Sequence, residues 1–452
     1  MSEIRHSILF DEKRCIACVA CTKACPSRAI RVRGGRVQVN ADLCIDCGEC
    51  IRACPHDAMS VRTSSPSDLK RFRHTVAIPS TTLYTQFGGD VRPSHLLHAL
   101  TRIGFDSFYD MSWMCEMVGQ ALDAYLSECQ DPWPKISVTC PAVIRLIQIR
   151  YPDLLPHLAP IESPRELTAK LIRRRVAQER GLPPEEIGIF YVTPCSAIMH
   201  SIIYPVGLEE SYLDGAFSVA EVYGPLRMAM EEMGEASSSS ATGFSPRGLG
   251  WAAAGGESAM MRNANTLTVN GVAEITHVFD RIEAGKFRSV DYIEAYICPE
   301  GCVSGPLLVE GWWRAKRNLR EVISRLGRQA SIQEEKTRKL FREHFFDLEE
   351  EVKARALRPI ARDLKQAILR KREKEGLLAL LPGKNCAACG APDCATLAED
   401  ILEGDAVPED CVFVKLDRLA GPSSARGGKA PNDSRAKERP GPPGAAGPER
   451  DT

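Results

Sequence analysis

Residues 294–305 read EAYICPEGCVSG and hold two cysteines four positions apart, Cys298 and Cys302. The proline, glycine and serine between and after them allow this loop to wrap closely around an inorganic cluster. Cysteine sulfur is the usual ligand of iron–sulfur clusters, and nearby backbone N–H groups tune the cluster potential. A cubane needs four ligands, so two more thiolates must come from other segments. Cys140 in VTCP and Cys195 in TPCSA have the most suitable surroundings.

Taken in chain order, these three segments resemble the three cluster-binding motifs of the [FeFe]-hydrogenase catalytic domain, which read roughly TSCCP, MPCxxKK and ExMxCxxGCxxGGGQP. The resemblance covers roughly residues 75–310 and includes IGFD at 103–106, YPDLLP at 151–156 and a glycine pair at 255–256. It implies a domain in which one [4Fe–4S] cluster is held by Cys140, Cys195, Cys298 and Cys302. In that family the last of these cysteines also bridges to a two-iron subcluster.

Several residues that the family uses for hydrogen chemistry are replaced in this chain. Thr139 stands where the family has the cysteine that shuttles protons, and Ile198 stands where it has the lysine that holds a cyanide ligand. Further departures from the motifs and from the family's acid-rich proton path occur at Thr193, Met199, Tyr296, Leu308 and residues 117–122. We therefore expect the cubane ligands to be kept, the two-iron subcluster not to be bound, and no residue to be catalytic.

An internal repeat fills residues 1–62. The spacing Cys-x2-Cys-x2-Cys-x3-Cys-Pro occurs twice, which is the signature of a bacterial two-cluster ferredoxin. In this signature the fourth cysteine of each run crosses to the other cluster. We expect one [4Fe–4S] cluster on Cys15, Cys18, Cys21 and Cys54, and a second on Cys44, Cys47, Cys50 and Cys25. Residues 30–39 between the runs predict a hairpin with a Gly-Gly turn, and a pair of zinc knuckles is the alternative to the clusters.

The chain has eighteen cysteines, and sixteen of them fall into four groups of four. The last group resembles a small four-cysteine cubane domain found in electron-transfer subunits and in hydrogenase-like sensor proteins, with a zinc site as the alternative. Its ligands are predicted to be Cys386, Cys389, Cys394 and Cys411. The remaining two, Cys115 and Cys129, are expected to be buried thiols.

The predicted fold class is a central α/β hydrogenase-like domain with a small α+β two-cluster ferredoxin domain and a helical arm that carries a small iron–sulfur module. The predicted boundaries are 1–62 for the ferredoxin domain, 63–74 for a linker, 75–310 for the central domain, 311–382 for the arm, 383–418 for the four-cysteine module and 419–452 for a disordered tail. The arm is expected either to carry the module or to close the central domain.

Periodicity places a few elements within these domains. Short buried strands are predicted at 76–78 and 187–192, and helices at 94–103 and 143–149. Because ligand cysteines at strand ends suit the carboxyl edge of a sheet, Cys195 is expected directly after the second strand. The Ser-rich stretch 234–249 predicts a flexible surface insertion, and an apolar stripe predicts a packed face of the arm at Leu357, Ile360, Leu364 and Ile368.

Charge and hydropathy exclude some classes of function. The net charge of −1 provides no global basic field for nucleic acid. No run of about 18 apolar residues is present, so membrane insertion is not expected. The first residues lack the apolar core of a signal peptide, which predicts a cytoplasmic protein.

The favoured function is an electron-transfer or redox-sensing protein with four [4Fe–4S] clusters on a hydrogenase-like scaffold. Its expected partners are redox proteins, such as another iron–sulfur subunit, a flavin subunit or a signalling protein. The alternatives are a divergent [FeFe]-hydrogenase and an iron–sulfur assembly or carrier protein. Either His56 or His200 could bind metal, but a lone histidine near a cluster is more often a packing or hydrogen-bonding residue.

Overall fold

The computed structural model describes residues 6–129, 133–234, 244–327, 332–355 and 363–420. Its N-terminal unit pairs the first strand with the fourth and the second with the third, both antiparallel. The second pair is the predicted hairpin, with Gly34 and Gly35 at positive φ in its turn. The elements of this unit are β1 (Ile8–Phe10), α1 (Ala20–Ala24), β2 (Ile30–Arg33), β3 (Arg36–Val39), α2 (Glu49–Ala53) and β4 (Met59–Val61).

The predicted linker at 63–74 contains secondary structure, and its last residue, His74, begins β5 (His74–Pro79). It contains the short helix α3 (Pro66–Leu69), which begins where the Ser65 N–H donates to the Asp68 carboxylate at 2.7 Å. The Ser64 N–H also donates to the Ala216 carbonyl at 2.8 Å. This stretch is therefore fixed to the central domain, which a turn-rich composition did not indicate.

The central domain contains two parallel sheets. The four-stranded sheet has the order β6–β5–β8–β9, formed by β5 (His74–Pro79), β6 (Ser107–Phe108), β8 (Ile187–Thr193) and β9 (Gly215–Ser218). The three-stranded sheet has the order β10–β11–β7, formed by β7 (Lys135–Ile136), β10 (Thr266–Asn270) and β11 (Tyr292–Tyr296). Every residue of β5 and β8 is buried, as in parallel sheets that helices cover on both faces.

Helices surround both sheets, so the mixed α/β class predicted from the sequence is confirmed. Two helices begin directly after ligand candidates, since Cys140 precedes α6 and Cys195 precedes α8. The α-helices of this domain are α4 (Pro93–Arg102), α5 (Ser112–Glu128), α6 (Pro141–Arg150), α7 (Pro164–Arg180), α8 (Ser196–Ile203), α9 (Val219–Met233), α10 (Pro246–Leu249) and α11 (Val272–Glu283).

The prediction of a surface insertion at 234–249 is wrong for its last part, while residues 235–243 lie outside the described chain. Phe244 and Leu249 are buried in the core, and α10 packs against α5. The contact is so close that a Cβ on Gly248 would lie 1.7 Å from the Ser112 carbonyl oxygen. The sequence did not predict this packed helix, because its close contact is made by the backbone of a glycine and the surrounding residues are rich in serine.

Within its described residues, the predicted arm at 311–382 is mostly helical, as expected from the sequence. The first helix closes the central domain, because the Asn318 amide donates to the carbonyls of Thr85 and Phe87 and Leu319 is buried. The predicted stripe is wrong at Ile368, which is 47% exposed, and Leu357 and Ile360 lie outside the described residues. The helices are α12 (Trp312–Leu326), α13 (Glu334–Arg342), α14 (Leu364–Leu380), α15 (Cys394–Glu403) and α16 (Val412–Ala420).

The last helix runs to Ala420, one residue beyond the predicted start of the disordered tail, and residues 421–452 lie outside the described chain. Within the described residues, no helix combines the length and the apolar character needed to cross a bilayer.

Candidate iron–sulfur sites

The three motif segments of the central domain meet at the carboxyl ends of parallel strands. Cys195 lies two residues after β8 and Cys298 two residues after β11, and Cys140 follows β7 across a short loop. The Leu307 N–H donates to the Pro194 carbonyl at 3.0 Å, which joins the third segment to the second. This topology brings together segments that are far apart in the chain, because parallel strands collect their following loops at one edge.

We call the four thiols of this site, Cys140, Cys195, Cys298 and Cys302, the central quartet. They lie close enough together for one sulfur to raise the pKa of another. Burial and the other three sulfurs raise the pKa of Cys302 well above its ordinary value. Burial also raises the pKa of Cys195 to about 11 and that of Cys298 to about 12. Four clustered, partly buried thiolates are therefore costly on their own, and bound iron would supply the compensating positive charge.

Backbone donors and the guanidinium of Arg165 face the same quartet. Burial raises the pKa of Cys140, and the N–H groups of Ile297 and Val143 that donate to its sulfur partly offset this rise. Arg165 is buried, donates to the Thr139 carbonyl at 3.1 Å and acts on the Cys140 pKa in the same downward sense. The Arg165 Nε has no hydrogen-bond partner among the described residues. This donor set fits an anionic iron–sulfur cluster held by the four thiolates.

The ferredoxin-like unit has two cavities, each lined by one complete predicted quartet. Three of the lining cysteines come from the same run and the fourth from the other, as the interleaved spacing predicted. The first cavity is lined by Cys15, Cys18, Cys21 and Cys54, and the second by Cys44, Cys47, Cys50 and Cys25. We call these the first and second ferredoxin quartets.

Amide donors also surround the ferredoxin quartets. The N–H groups of Ala17, Ala29 and Ala58 lie 3.2 to 3.3 Å from the sulfurs of Cys15, Cys25 and Cys54, respectively. Positive φ angles at Ala17, Val19 and Asp46 bend the loops around the cavities. Such strained backbone suits a loop that turns its amides toward a cluster.

A buried polar network joins the second ferredoxin quartet to the central quartet. The Asp46 carboxylate accepts from the Ser7 N–H at 2.7 Å and lies 3.4 Å from Arg145 and 3.5 Å from His200. The Ser196 hydroxyl, adjacent to Cys195, donates to the Asp46 carbonyl at 2.6 Å. Because Asp46 lies between Cys44 and Cys47, this network fixes the second loop directly against the central motif.

Arg52 forms a second link between the two quartets. Its guanidinium lies 3.6 Å from the Cys298 sulfur, donates to the Ser304 carbonyl at 2.5 Å and pairs with Glu49. A charged donor at a ligand sulfur stabilises the more negative state of a cluster. The sequence contained no motif for Arg52, because its partner Cys298 is 246 residues away.

The C-terminal thiols form a fourth group. One small apolar cluster contains Cys389, Cys394 and Cys411 together with Leu397 and Ala398. Burial raises the pKa of Cys389, and the nearby sulfurs of Cys411 and Cys386 raise it further. The Cys394 N–H, at the start of α15, donates to the Asn385 side chain at 3.0 Å. We call this group the C-terminal quartet. Its small core suits a module that a cluster holds together.

Two buried carboxyls lie near the central quartet, and sequence reasoning assigned a role to neither of them. Glu257 accepts hydrogen bonds from Ser137 at 3.0 Å and from Tyr292 at 2.5 Å, and burial next to Glu294 raises its pKa to about 8. The Glu294 carboxylate accepts from the Gly255 N–H at 3.0 Å. Glu257 lies outside the three cluster-binding motifs, whereas Glu294 lies on β11 and is the glutamate that opens the third motif.

The remaining candidates take structural positions. His56 lines the first ferredoxin cavity, whereas burial and Arg145 lower the pKa of His200 to about 2, which keeps its ring neutral. Cys115 is buried, as expected, but Cys129 is only half-buried and donates to the Tyr125 hydroxyl at 3.4 Å. At the replaced motif positions, Ile198 packs in the apolar core.

Comparisons with known protein families agree with this arrangement. Residues 73–200 and 222–306 match the family "Iron only hydrogenase large subunit, C-terminal domain". Residues 7–55 match the "4Fe-4S dicluster domain", and residues 381–413 match "Putative Fe-S cluster". The chain is therefore an [FeFe]-hydrogenase-like iron–sulfur protein.

Individual relatives and one solved structure are similar to parts of this chain. The periplasmic [Fe] hydrogenase large subunit of Nitratidesulfovibrio vulgaris is 24% identical over 361 residues, which cover 66% of this chain and 86% of that protein. The cytosolic Fe-S cluster assembly factor NAR1 of Phaeosphaeria nodorum is 34% identical over 62 residues, only 10% of its length. A solved variant of the [FeFe]-hydrogenase HydA1 of Chlamydomonas reinhardtii has the same fold, with a TM-score of 0.51, 14% identity and coverage of 65% of this chain and 98% of that chain.

Proposed function

We propose that this protein is an electron-transfer or redox-sensing protein that carries four [4Fe–4S] clusters and no two-iron subcluster. The observation that carries the proposal is the direct docking of residues 44–52 on the central motif through Ser196 and Arg52. Such clusters take up and release one electron at a time when bound. The chain's own part is to hold the second ferredoxin quartet and the central quartet in fixed contact.

The contact between these two quartets is built like a protein core. Gly48 has a φ of +76°, and a Cβ there would lie 2.5 Å from the Pro306 side chain and 2.9 Å from the Ser196 hydroxyl. The Asp46 and Arg145 side chains are almost fully excluded from solvent. Burying a charged pair at this place is expensive unless the geometry is kept, so the network supports a permanent junction rather than a transient encounter.

Loss of hydrogen chemistry is supported by the residues at the replaced positions. Thr139 is half-buried, and its hydroxyl does not titrate near neutral pH as a thiol can. Ile198 and Leu308 pack in apolar clusters, so neither can donate to a cyanide ligand or offset its charge. The buried Arg165 is held by the Thr139 carbonyl and faces the cubane cysteines.

The test is chemical maturation of the purified protein with a two-iron mimic, followed by infrared spectroscopy and a hydrogen assay. We expect no iron-bound CO or cyanide bands and no hydrogen turnover. If the protein retained the mimic and turned over hydrogen, the proposal would be wrong and the protein would be a divergent [FeFe]-hydrogenase. The variant Ile198→Lys serves as a matched control, because it restores the family's residue at one position of the same pocket.

An assembly or carrier role is the second candidate, because short segments resemble the NAR1 assembly factors of Phaeosphaeria nodorum and Aspergillus terreus. A carrier should hand iron and sulfide to an apo-ferredoxin within minutes, whereas an electron-transfer protein should keep its clusters. We further propose a cytoplasmic location and a redox protein as partner, either an iron–sulfur subunit, a flavin subunit or a signalling protein. Co-purification under anaerobic conditions tests the partner.

A further inference from the structure

The C-terminal module is docked on the ferredoxin hairpin through one backbone hydrogen bond. The Val32 N–H donates to the Gly390 carbonyl at 2.9 Å. Gly390 has a φ of +82°, and a Cβ on it would lie 1.7 Å from the Val32 carbonyl oxygen, so only glycine allows this approach. Val32 also lines the first ferredoxin cavity, and Gly390 directly follows Cys389. The two cysteine groups therefore lie on either side of a single backbone contact.

Charged side chains clamp the same contact. Arg31 forms a bidentate pair with Asp400, at 2.8 and 3.0 Å, and both side chains are about nine-tenths buried. Arg33 also pairs with Asp400 and donates to the Asp405 carbonyl at 2.7 Å. Arg28 adds a pair with Asp393 at 2.9 Å. Bidentate guanidinium–carboxylate pairs fix orientation as well as distance, unlike isolated surface pairs.

We propose that this contact is an electron-transfer junction between the C-terminal quartet and the first ferredoxin quartet. The order of the quartets in space is then C-terminal, first ferredoxin, second ferredoxin and central, although the C-terminal quartet is last in the sequence. The inference rests on the proposed function, since it assumes a cubane in each quartet. It adds that the hairpin β2–β3 carries the connection, and that the C-terminal module lies at the end of the relay farthest from the central quartet.

The test uses electron paramagnetic resonance of the reduced full-length protein, because two paramagnetic clusters in contact broaden each other's signals. The variant Cys411→Ser removes one ligand of the C-terminal quartet and should narrow the signal of the first ferredoxin cluster, leaving the central signal unchanged. The double variant Arg31→Glu/Arg33→Glu should produce the same narrowing with no loss of iron. Adding Asp400→Arg to that double variant should restore the broadening by reversing the ion pairs.

The matched control is Arg36→Glu on the same hairpin, because Arg36 is largely exposed and pairs with Glu12 rather than with the module. The signal of the first ferredoxin cluster in this variant should be as broad as in the wild type. Persistence of the broadening in Arg31→Glu/Arg33→Glu, or narrowing of the central signal in Cys411→Ser, would overturn the junction while leaving the clusters in place. Iron and sulfide far below four cubanes in the wild type would instead overturn the proposed function, so the two failures are distinguishable.

Discussion

Substitution of Gly48 by alanine should loosen the junction between the second ferredoxin quartet and the central quartet. The residue has a φ of +76°, which costs an L-residue about 1–2 kcal/mol. The new Cβ would also lie 2.5 Å from Pro306 and 2.9 Å from Ser196, and overpacking of this kind costs about 1–3 kcal/mol. Together these effects should lower the opening free energy of the contact by about 2–5 kcal/mol.

Hydrogen–deuterium exchange of the reconstituted protein measures this opening directly, in peptides that cover residues 44–52 and 194–200. Gly35→Ala is the matched control, since its φ is +78° but no atom lies within 4 Å of the added Cβ. It should speed exchange only in the hairpin. Gly48→Ala should increase the exchange rate at the junction by a factor at least about five times larger than the factor by which Gly35→Ala increases the exchange rate in the hairpin. Equal effects of the two variants, each confined to its own loop, would refute the docking argument.

Three further predictions concern the charged groups around the quartets. Arg145→Met removes the guanidinium partner of the buried Asp46 carboxylate and should lower the free energy of unfolding in urea by about 3–5 kcal/mol. Asp46→Asn/Arg145→Met should recover much of this loss, and equal losses in the two variants would contradict the prediction. Because burial raises the pKa of Glu257 to about 8 from 4.5, the folded state holds a proton that the unfolded state has lost, so stability should fall as pH rises from 4.5 to 8. Urea midpoints at pH 5 and pH 8 should differ less in Glu257→Gln than in wild type, and an unchanged difference would count against it. Arg52→Ala should lower the central cluster potential by about 20–40 mV in a redox titration, because a cation near Cys298 is lost; an unshifted potential would exclude that contact.

The local elements could be predicted from the sequence because their signals lie within a few residues. The cysteine spacing at 15–54 determines which sulfurs line which cavity, and a Gly-Gly pair between two segments with alternating β-branched residues predicts the hairpin. The strand before Cys195 was predictable because a run of apolar residues ends there. Such patterns depend on period and spacing, which one chain displays directly.

The contacts between modules could not be predicted in the same way. Arg52 and Cys298, or Arg31 and Asp400, are hundreds of residues apart, and nothing in either segment names its partner. Helix α10 was missed because its close contact is made by the backbone of Gly248. The predicted stripe failed at Ile368 because helix α14 packs through Leu377 and Leu378, next to Leu381, which directly follows the helix. Tertiary pairing of this kind overrides local composition.

The most direct test of the whole account is anaerobic quantitation of iron and sulfide in the reconstituted full-length protein, with the ligand variant Cys298→Ser measured beside it. Four cubanes predict about sixteen irons and sixteen sulfides per chain, with a Mössbauer spectrum that contains only [4Fe–4S] components. Cys298→Ser should lose about four irons and leave the other three clusters intact. A wild-type content near twelve irons that does not change in Cys298→Ser would contradict the assignment of a cluster to the central quartet.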